Sequence, residues 1–468
     1  MNLTLSEIRS ALGASCDLDQ GTAKLVPPHV RTDSRLVGKD DLFFCIEGET
    51  FDGHSFAAEA IRRGASAVVA HRPVEFPKGM EAPVFPVEDT IRGLGRLAAF
   101  WRTRTQARVV GVTGTAGKTT VKELIARILS EDGEVAKNHL NLNNQIGLPQ
   151  SMLSASGREA YWVFEAGISH AHDMDELGAI LKPDLAIVVN VGQAHLSGLG
   201  DVAGVADYKT RLLNYLAPGG EALVSADYPE LLEASAATVA GRDGKVRYFS
   251  RAGNQADFSA AYLGPGEQGQ GRFSIVLGGK VMEAESVLRG GFAAENIAVA
   301  AGAASMLGLG QAEIARGMRG FTVPEQRFQV REIKQWTVVD DSYNANPLSM
   351  AGILETMPEM AAGRPLVLVL GAMGELGEAS ARAHEELGRR VAATGALAVF
   401  WHGDFSEQVS QGLRDGGFKG AWSRVETPEG LVFRFRDLEI DTGVVLFKGS
   451  RANGLEVYAE SLLKELQG

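Results

Sequence analysis

Three observations in the sequence predict a three-domain α/β protein. Its 468 residues exceed what one hydrophobic core holds. Short apolar runs alternate with helical patterns through the second and third parts of the chain, the rhythm of a parallel sheet. The stretch GVTGTAGKTT, 111–120, joins such a run to a helical pattern, where an α/β fold presents backbone N–H groups to phosphate. The predicted domains are a small α/β unit over 1–87, a P-loop ATPase-like unit with a mostly parallel sheet over 88–322, and a smaller Rossmann-like α/β unit over 323–468.

In the first unit, RTDSRLVGKDDLFFCIEGETFDGHSFAAEAIRRGASAVVAH reads as turn, strand, loop, helix and strand, and RPVEFPKGMEAPVFP closes it. The second opens with a helix around Ile91 to Trp101, followed by the strands RVVGV, YWVFEAG, LAIVVNVG and ALVSAD. Between Ala252 and Arg289, Gly-rich turns separate short alternating runs such as RFSIVLGG, which predicts antiparallel hairpins at the sheet edge. A helix over about Ala294 to Leu307 follows, and Val323-Pro324 marks a linker. The third unit runs through WTVVDDSY, PLVLVLG, the helix of SARAHEELGRRVAATG, ALAVFWHG and VVLFKGSR.

Composition narrows the function. Hydrophobic residues make up 45% and charged residues 22%, ordinary for a soluble globular enzyme. A net charge of -12 argues against a nucleic-acid or anionic-membrane partner, both of which select for excess Lys and Arg. Cys16 and Cys45, the two cysteines, are too few for a disulfide framework or a thiolate metal cage. The amino-terminal MNLTLSEIRSALGAS lacks a basic start and an apolar core, and no run of about 18 apolar residues follows, so a soluble cytoplasmic protein is expected.

The glycine stretch departs from the strict phosphate-loop pattern, because Val112 stands where that pattern has glycine. The compact form Gly114, Thr115, Ala116, Gly117, Lys118, Thr119, Thr120 survives. Val121, Leu124, Ile125, Ile128 and Leu129 follow at helical spacing. Lys118 would meet the outer phosphates of a nucleotide and the Thr119 hydroxyl would reach Mg²⁺. Glu165 ends the strand YWVFEAG, and His195 follows LAIVVNVG. Both fall at carboxyl edges of strands, where open α/β sheets bind ligands. With Thr119 they form an oxygen and nitrogen set for one or two Mg²⁺ ions.

Taken together, these stretches resemble the Mur ligase family along essentially the whole chain. The resemblance rests on TDSR and FDGHSFAAEAIRRGA in the first unit, GTAGKTT, NLNNQIGLPQSML, FEAGISH and NVGQAHL in the second, and DDSYNANPLSM, GAMGELG and FKGSR in the third. It implies ATP-dependent amide bond formation through an acyl phosphate. DDSYNANP and the ELG after a strand match the member that adds D-Ala-D-Ala to UDP-N-acetylmuramoyl-tripeptide during cytoplasmic peptidoglycan precursor synthesis, usually as a monomer.

The roles implied by the resemblance follow residue by residue. Gly114 to Thr120, with Lys118, match the phosphate cradle. Thr119 and Glu165 match the first Mg²⁺ site, His195 the second, and Lys209, in ADYKTRLL, the lysine that the family carbamylates to bridge metal. Asn296 matches an adenine contact, and Arg327 and Asp341 match third-domain residues reaching the γ-phosphate and ribose. Ser34, Arg35, Asp52, Gly53 and His54 match the UDP-sugar region, and Asn143 and Asn144 a loop near that substrate. Tyr343, Asn344 and Asn346, with Lys448, Ser450 and Arg451, match the side approaching adenine or the dipeptide. An Asn-rich turn before Pro347 equally suits a helix cap.

Several positions depart from the family pattern. Thr210-Arg211 follows Lys209 where Gly-Glu is common, Glu295 stands in place of His, Gln326 in place of Gly, and Ala372 where Asp is frequent. The sister ligase that adds the third stem residue carries an Asp-Asn-Pro-Arg string, which is absent here. A folylpolyglutamate synthetase shares the central unit but not a first unit of this type. A phosphate-loop switch without chemistry would have little use for the third unit.

Overall fold

The computed structural model describes residues 1–194, 196–240 and 245–467. Among them the chain forms three sheets, of four, nine and six strands.

The first sheet contains β1 (Val30–Arg31), β2 (Leu42–Phe44), β3 (Ala67–Ala70) and β4 (Val84–Pro86), parallel and in chain order. LFF and AVVA are buried at every position, as strands covered on both faces must be. β4 lies inside the Pro-rich stretch expected only to close the unit. Pro86, lacking an N–H, is tolerated because β4 is an edge strand. The helix Leu5–Leu12 starts in a reciprocal capping box between Thr4 and Glu7 and buries Leu5, Ile8 and Leu12. These join one apolar cluster that runs through Leu97 and Trp101 to Val109, Trp162 and Phe164, so the first unit shares a core with the central sheet.

The central sheet contains β5 (Arg108–Thr113), β6 (Val135–Lys137), β7 (Tyr161–Glu165), β8 (Leu185–Val188), β9 (Glu221–Ser225), β10 (Lys245–Ser250), β11 (Phe258–Pro265), β12 (Gly271–Leu277) and β13 (Lys280–Ser286). Its order is 13-12-11-10-9-8-5-7-6. Strands from β6 to β11 are parallel, and β11, β12 and β13 form the antiparallel edge that the Gly-rich turns predict. Val109 faces the cluster shared with the first unit, whereas Val110 and Val112 face helices Lys118–Leu129 and Gly291–Met306 on the other side. β6, Val-Ala-Lys, carries no apolar alternation from which a strand is predicted.

The third sheet contains β14 (Gln329–Ile333), β15 (Trp336–Asp340), β16 (Leu366–Gly371), β17 (Ala398–His402), β18 (Ala421–Arg424) and β19 (Gly443–Lys448), ordered 14-15-19-16-17-18. All pairings are parallel except β14 with β15. β19 returns between β15 and β16, so the loops leaving β15 and β19 open at a switch point, where such sheets bind ligands. No helix among the described residues is long and apolar enough to cross a membrane.

Candidate active site

β5 ends at Thr113, and the loop Gly114–Gly117 delivers the chain into helix Lys118–Leu129. Gly117 has φ +77, and a Cβ there would sit 2.7 Å from Asn296 Oδ1, so both the backbone and the neighbour require glycine. The helix has no side-chain cap, which leaves its first N–H groups for an anion. Lys118 Nζ donates to Gly114 O at 2.8 Å and lies back over the loop. Burial lowers its pKa, the Glu165 charge opposes this, and Arg327 adds to it.

The third unit closes over this loop. Arg327 Nη2 donates to Thr119 Oγ1 at 3.4 Å, and its guanidinium stacks 3.9 Å from the Tyr343 ring centre. Asn346 Nδ2 reaches Thr115 O at 3.3 Å while its Oδ1 accepts from Ser349 N and caps helix Pro347–Ala361. The cap and the reach to the loop are therefore made by one side chain. Asp341 accepts from Phe328 N and from Lys448 Nζ, which also donates to Asn344 O. These residues, the loop, Glu165 and Asn296 line one cavity of about 470 Å³.

At the floor of the cavity Glu165 is fully buried. Asn138 grips its backbone from both sides, with Glu165 N donating to Asn138 Oδ1 and Asn138 Nδ2 donating to Glu165 O. Glu165 Oε1 accepts from Asn143 Nδ2 at 2.8 Å, and its Oε2 is buried with no hydrogen-bond partner among the described residues. A desolvated carboxylate oxygen needs a donor or a cation, so this corner suits Mg²⁺ beside Thr119. Lys209 is 1% exposed. Burial first, and the Lys118 charge second, drive its ammonium well below the usual lysine range. His195 lies outside the described residues.

Most of the other expected site residues fall elsewhere. Asn144 lines the cavity, but its Oδ1 accepts from Ile146 N and Gly147 N at the start of helix Gly147–Ser154. Ser450 and Arg451 are not among the lining residues. Ser450 Oγ accepts from Asn453 Nδ2, and Arg451 pairs with Gln326 and Glu456. Ser34, Arg35, Asp52, Gly53 and His54 also lie outside the cavity lining, in the first unit. Ser34 is buried, whereas Arg35 is exposed and paired with Asp33 at 2.6 Å. Asp52 caps the turn Gly53–Phe56, and a Cβ on Gly53 would meet Ile46 N at 2.7 Å.

Sequence reading did not single out Asn138 or Asn190. Asn190 Oδ1 accepts from the backbone N–H of Thr115 and Ala116, and its Nδ2 donates to Glu295. Its place just after β8, beside the loop strand, was the available signal. Of the departures, Glu295 fills a structural need, Gln326 adopts φ +58 and accepts from Tyr343 N through its backbone, and Ala372 receives Ser450 N on its carbonyl. Nothing in the structure explains the Asp-to-Ala difference at 372.

Three family models match the chain: the Mur ligase family catalytic domain over 28–102, the Mur ligase middle domain over 112–304, and the Mur ligase glutamate ligase domain over 326–451. The UDP-N-acetylmuramoyl-tripeptide--D-alanyl-D-alanine ligase of Escherichia coli is 32% identical over 465 residues, covering 99% of this chain and 98% of that protein. Among solved structures, MurF from Acinetobacter baumannii superposes with a TM-score of 0.87 at 26% identity, with 99% of each chain covered. MurF ligase from Thermotoga maritima in complex with ADP gives 0.82 at 28% identity, covering 94% of this chain and 98% of that one.

Proposed function

The chain belongs to the Mur ligase family, and from that premise we propose that it joins D-Ala-D-Ala to UDP-N-acetylmuramoyl-tripeptide at the expense of ATP, in peptidoglycan precursor synthesis. The observation that carries this reading is the meeting of two units over one phosphate-type loop: Arg327 and Asn346 of the third touch Thr119 and Thr115 of the second. A nucleotide switch needs no such second wall. A ligase does, because the acceptor must be brought to the activated carboxylate while water is kept out.

In this account a terminal carboxylate oxygen of the tripeptide attacks the γ-phosphorus of ATP and ADP leaves. The acyl phosphate formed is then attacked at its carbonyl carbon by the dipeptide amine, which gives up a proton as phosphate departs. The helix N-terminus and Gly114 to Thr120 cradle the phosphates, and Lys118 leaves Gly114 O to follow the transferred group. Arg327 adds charge from the opposite wall. Asn296 and Asp341 hold adenine and ribose. Tyr343, Asn344, Asn346 and Lys448, with Ser450 and Arg451 behind them, form the dipeptide side. Ser34, Arg35, Asp52, Gly53 and His54 hold the UDP-sugar end, with Asn143 and Asn144 between.

Thr119, Glu165, Lys209 and His195 would hold Mg²⁺, which when bound neutralises charge on the phosphoryl oxygens. The partnerless Glu165 Oε2 fits that assignment. Burial lowers the Lys209 pKa and so favours its uncharged amine, which would add to CO₂ with formation of an N–C bond and loss of one proton, giving a carbamate whose oxygens would join the Mg²⁺ ligands. The units 1–87, 88–322 and 323–468 divide the work as substrate, ATP and ligation domains. The enzyme acts as a cytoplasmic monomer and requires no nucleic acid or membrane.

The test is isotopic. Tripeptide substrate carrying ¹⁸O in its terminal carboxylate is turned over with ATP and D-Ala-D-Ala, and the released phosphate is weighed by mass spectrometry. One ¹⁸O per phosphate is expected; unlabelled phosphate would rule out carboxylate activation.

A further inference from the structure

Away from the glycine loop, the segment after β2 and the end of β3 bring three metal-binding side chains together. Glu47, His54 and His71 each place one ligand atom within 4.8 Å of the other two. The imidazoles meet edge to face with ring centres 4.3 Å apart, and His71 Nε2 lies 3.2 Å from Glu47 Oε2.

The state of His54 points to a cation. Its side chain is 5% exposed, and Nδ1 stands 2.7 Å from Asp52 Oδ1. A carboxylate only accepts, so Nδ1 is the donor of this pair, and in the neutral ring the lone pair then falls on Nε2. That Nε2 is buried and has no hydrogen-bond partner among the described residues. A buried lone pair without a donor has lost its water and gained nothing in return, a deficit that a bound metal ion removes. Asp52 behind the imidazole is the carboxylate that fixes a metal-ligating histidine in the right tautomer.

The donor set selects the ion. Two imidazoles and one carboxylate suit Zn²⁺ and its transition-metal neighbours, whereas Mg²⁺ prefers an oxygen shell. Arg72, paired with the other Asp52 oxygen, offsets part of the local negative charge. Tetrahedral ligands about 2.0–2.2 Å from zinc lie roughly 3.4 Å apart, a spacing that His71 Nε2 and Glu47 Oε2 already meet at 3.2 Å, while all three ligand atoms fall within 4.8 Å of one another.

We propose that Glu47, His54 and His71 form a zinc-class divalent cation site, oriented by Asp52, that ties the 47–54 segment to the end of β3. The site is separate from the Glu165 corner and does not depend on the ligase reading. Because Asp52 and His54 also belong to the segment proposed for the UDP-sugar, binding is measured without substrate.

The full chain is stripped with a chelator and titrated with Co²⁺ under excess Mg²⁺, which occupies oxygen-rich sites. One equivalent of Co²⁺ with the visible absorption of four-coordinate cobalt is expected, displaced by Zn²⁺. His71→Gln and Glu47→Gln, both at solvent-accessible side chains, should weaken binding at least about tenfold with unchanged melting temperature, and Asp52→Asn by about 10–100-fold. No Co²⁺ bound under Mg²⁺, or the same binding in both His71→Gln and Glu47→Gln, would overturn the site.

Discussion

Asn190 and Glu295, 105 positions apart, are joined by a 2.6 Å hydrogen bond from Asn190 Nδ2 to Glu295 Oε2. The other carboxyl oxygen accepts from the Tyr228 hydroxyl at 2.9 Å. With its amide nitrogen fixed, Asn190 turns Oδ1 to the N–H groups of Thr115 and Ala116, at 3.0 and 2.8 Å. A buried acid thus sets the shape of the phosphate loop through one intermediary.

Stability should report that acid. Burial pushes the Glu295 carboxyl up to about 7, against the two hydrogen bonds it accepts. A raised carboxyl favours the protonated fold, so its contribution is complete below the ordinary glutamate range and is lost as pH rises through about 7. Compared with Glu295→Gln, which cannot titrate, the native protein should lose up to about 3 kcal/mol between pH 4.5 and 8. Thermal melts of both proteins across that range check this; parallel curves would contradict it.

Lys118→Ala should keep the fold, since the lysine makes one hydrogen bond to its own loop, yet lower turnover by about two orders of magnitude or more. Circular dichroism and steady-state phosphate release read the two halves. Native turnover would remove the loop lysine from the chemistry.

Arg327 stacks on Tyr343 and donates to the Thr119 hydroxyl in the first turn of the helix after the loop. If its charge acts on the phosphoryl group in flight, Arg327→Ala should lower the turnover number more than it raises the Michaelis constant for ATP. The reverse split would mean that it contributes uniform binding.

For Lys209, carbamate density beyond Nζ is expected in crystals grown near pH 8, and activity should fall when CO₂ is removed and return when bicarbonate is added. Activity indifferent to CO₂ and retained in Lys209→Ala would show that the amine stays unmodified.

How much of this the sequence disclosed depends on distance along the chain. Gly114 to Thr120 is legible because strand, loop and helix start are contiguous, and Glu165 because it ends an apolar run. Asn346 is read both as a helix cap and as a site residue; the fold makes the cap and sets the same side chain against the Thr115 carbonyl of the loop. The Asn190–Glu295 bond and the convergence of Glu47, His54 and His71 are set by strand order, which no local pattern encodes. β6 escaped because three edge residues carry too short a period to register.

The activity is defined by which two substrates the enzyme joins. Phosphate release is measured with ATP against each UDP-muramoyl peptide, from dipeptide to tripeptide, combined with D-Ala-D-Ala or with free diaminopimelate or lysine. Turnover is expected only when the tripeptide and D-Ala-D-Ala are present together; equal turnover with the dipeptide and a free diamino acid would contradict the D-Ala-D-Ala ligase reading.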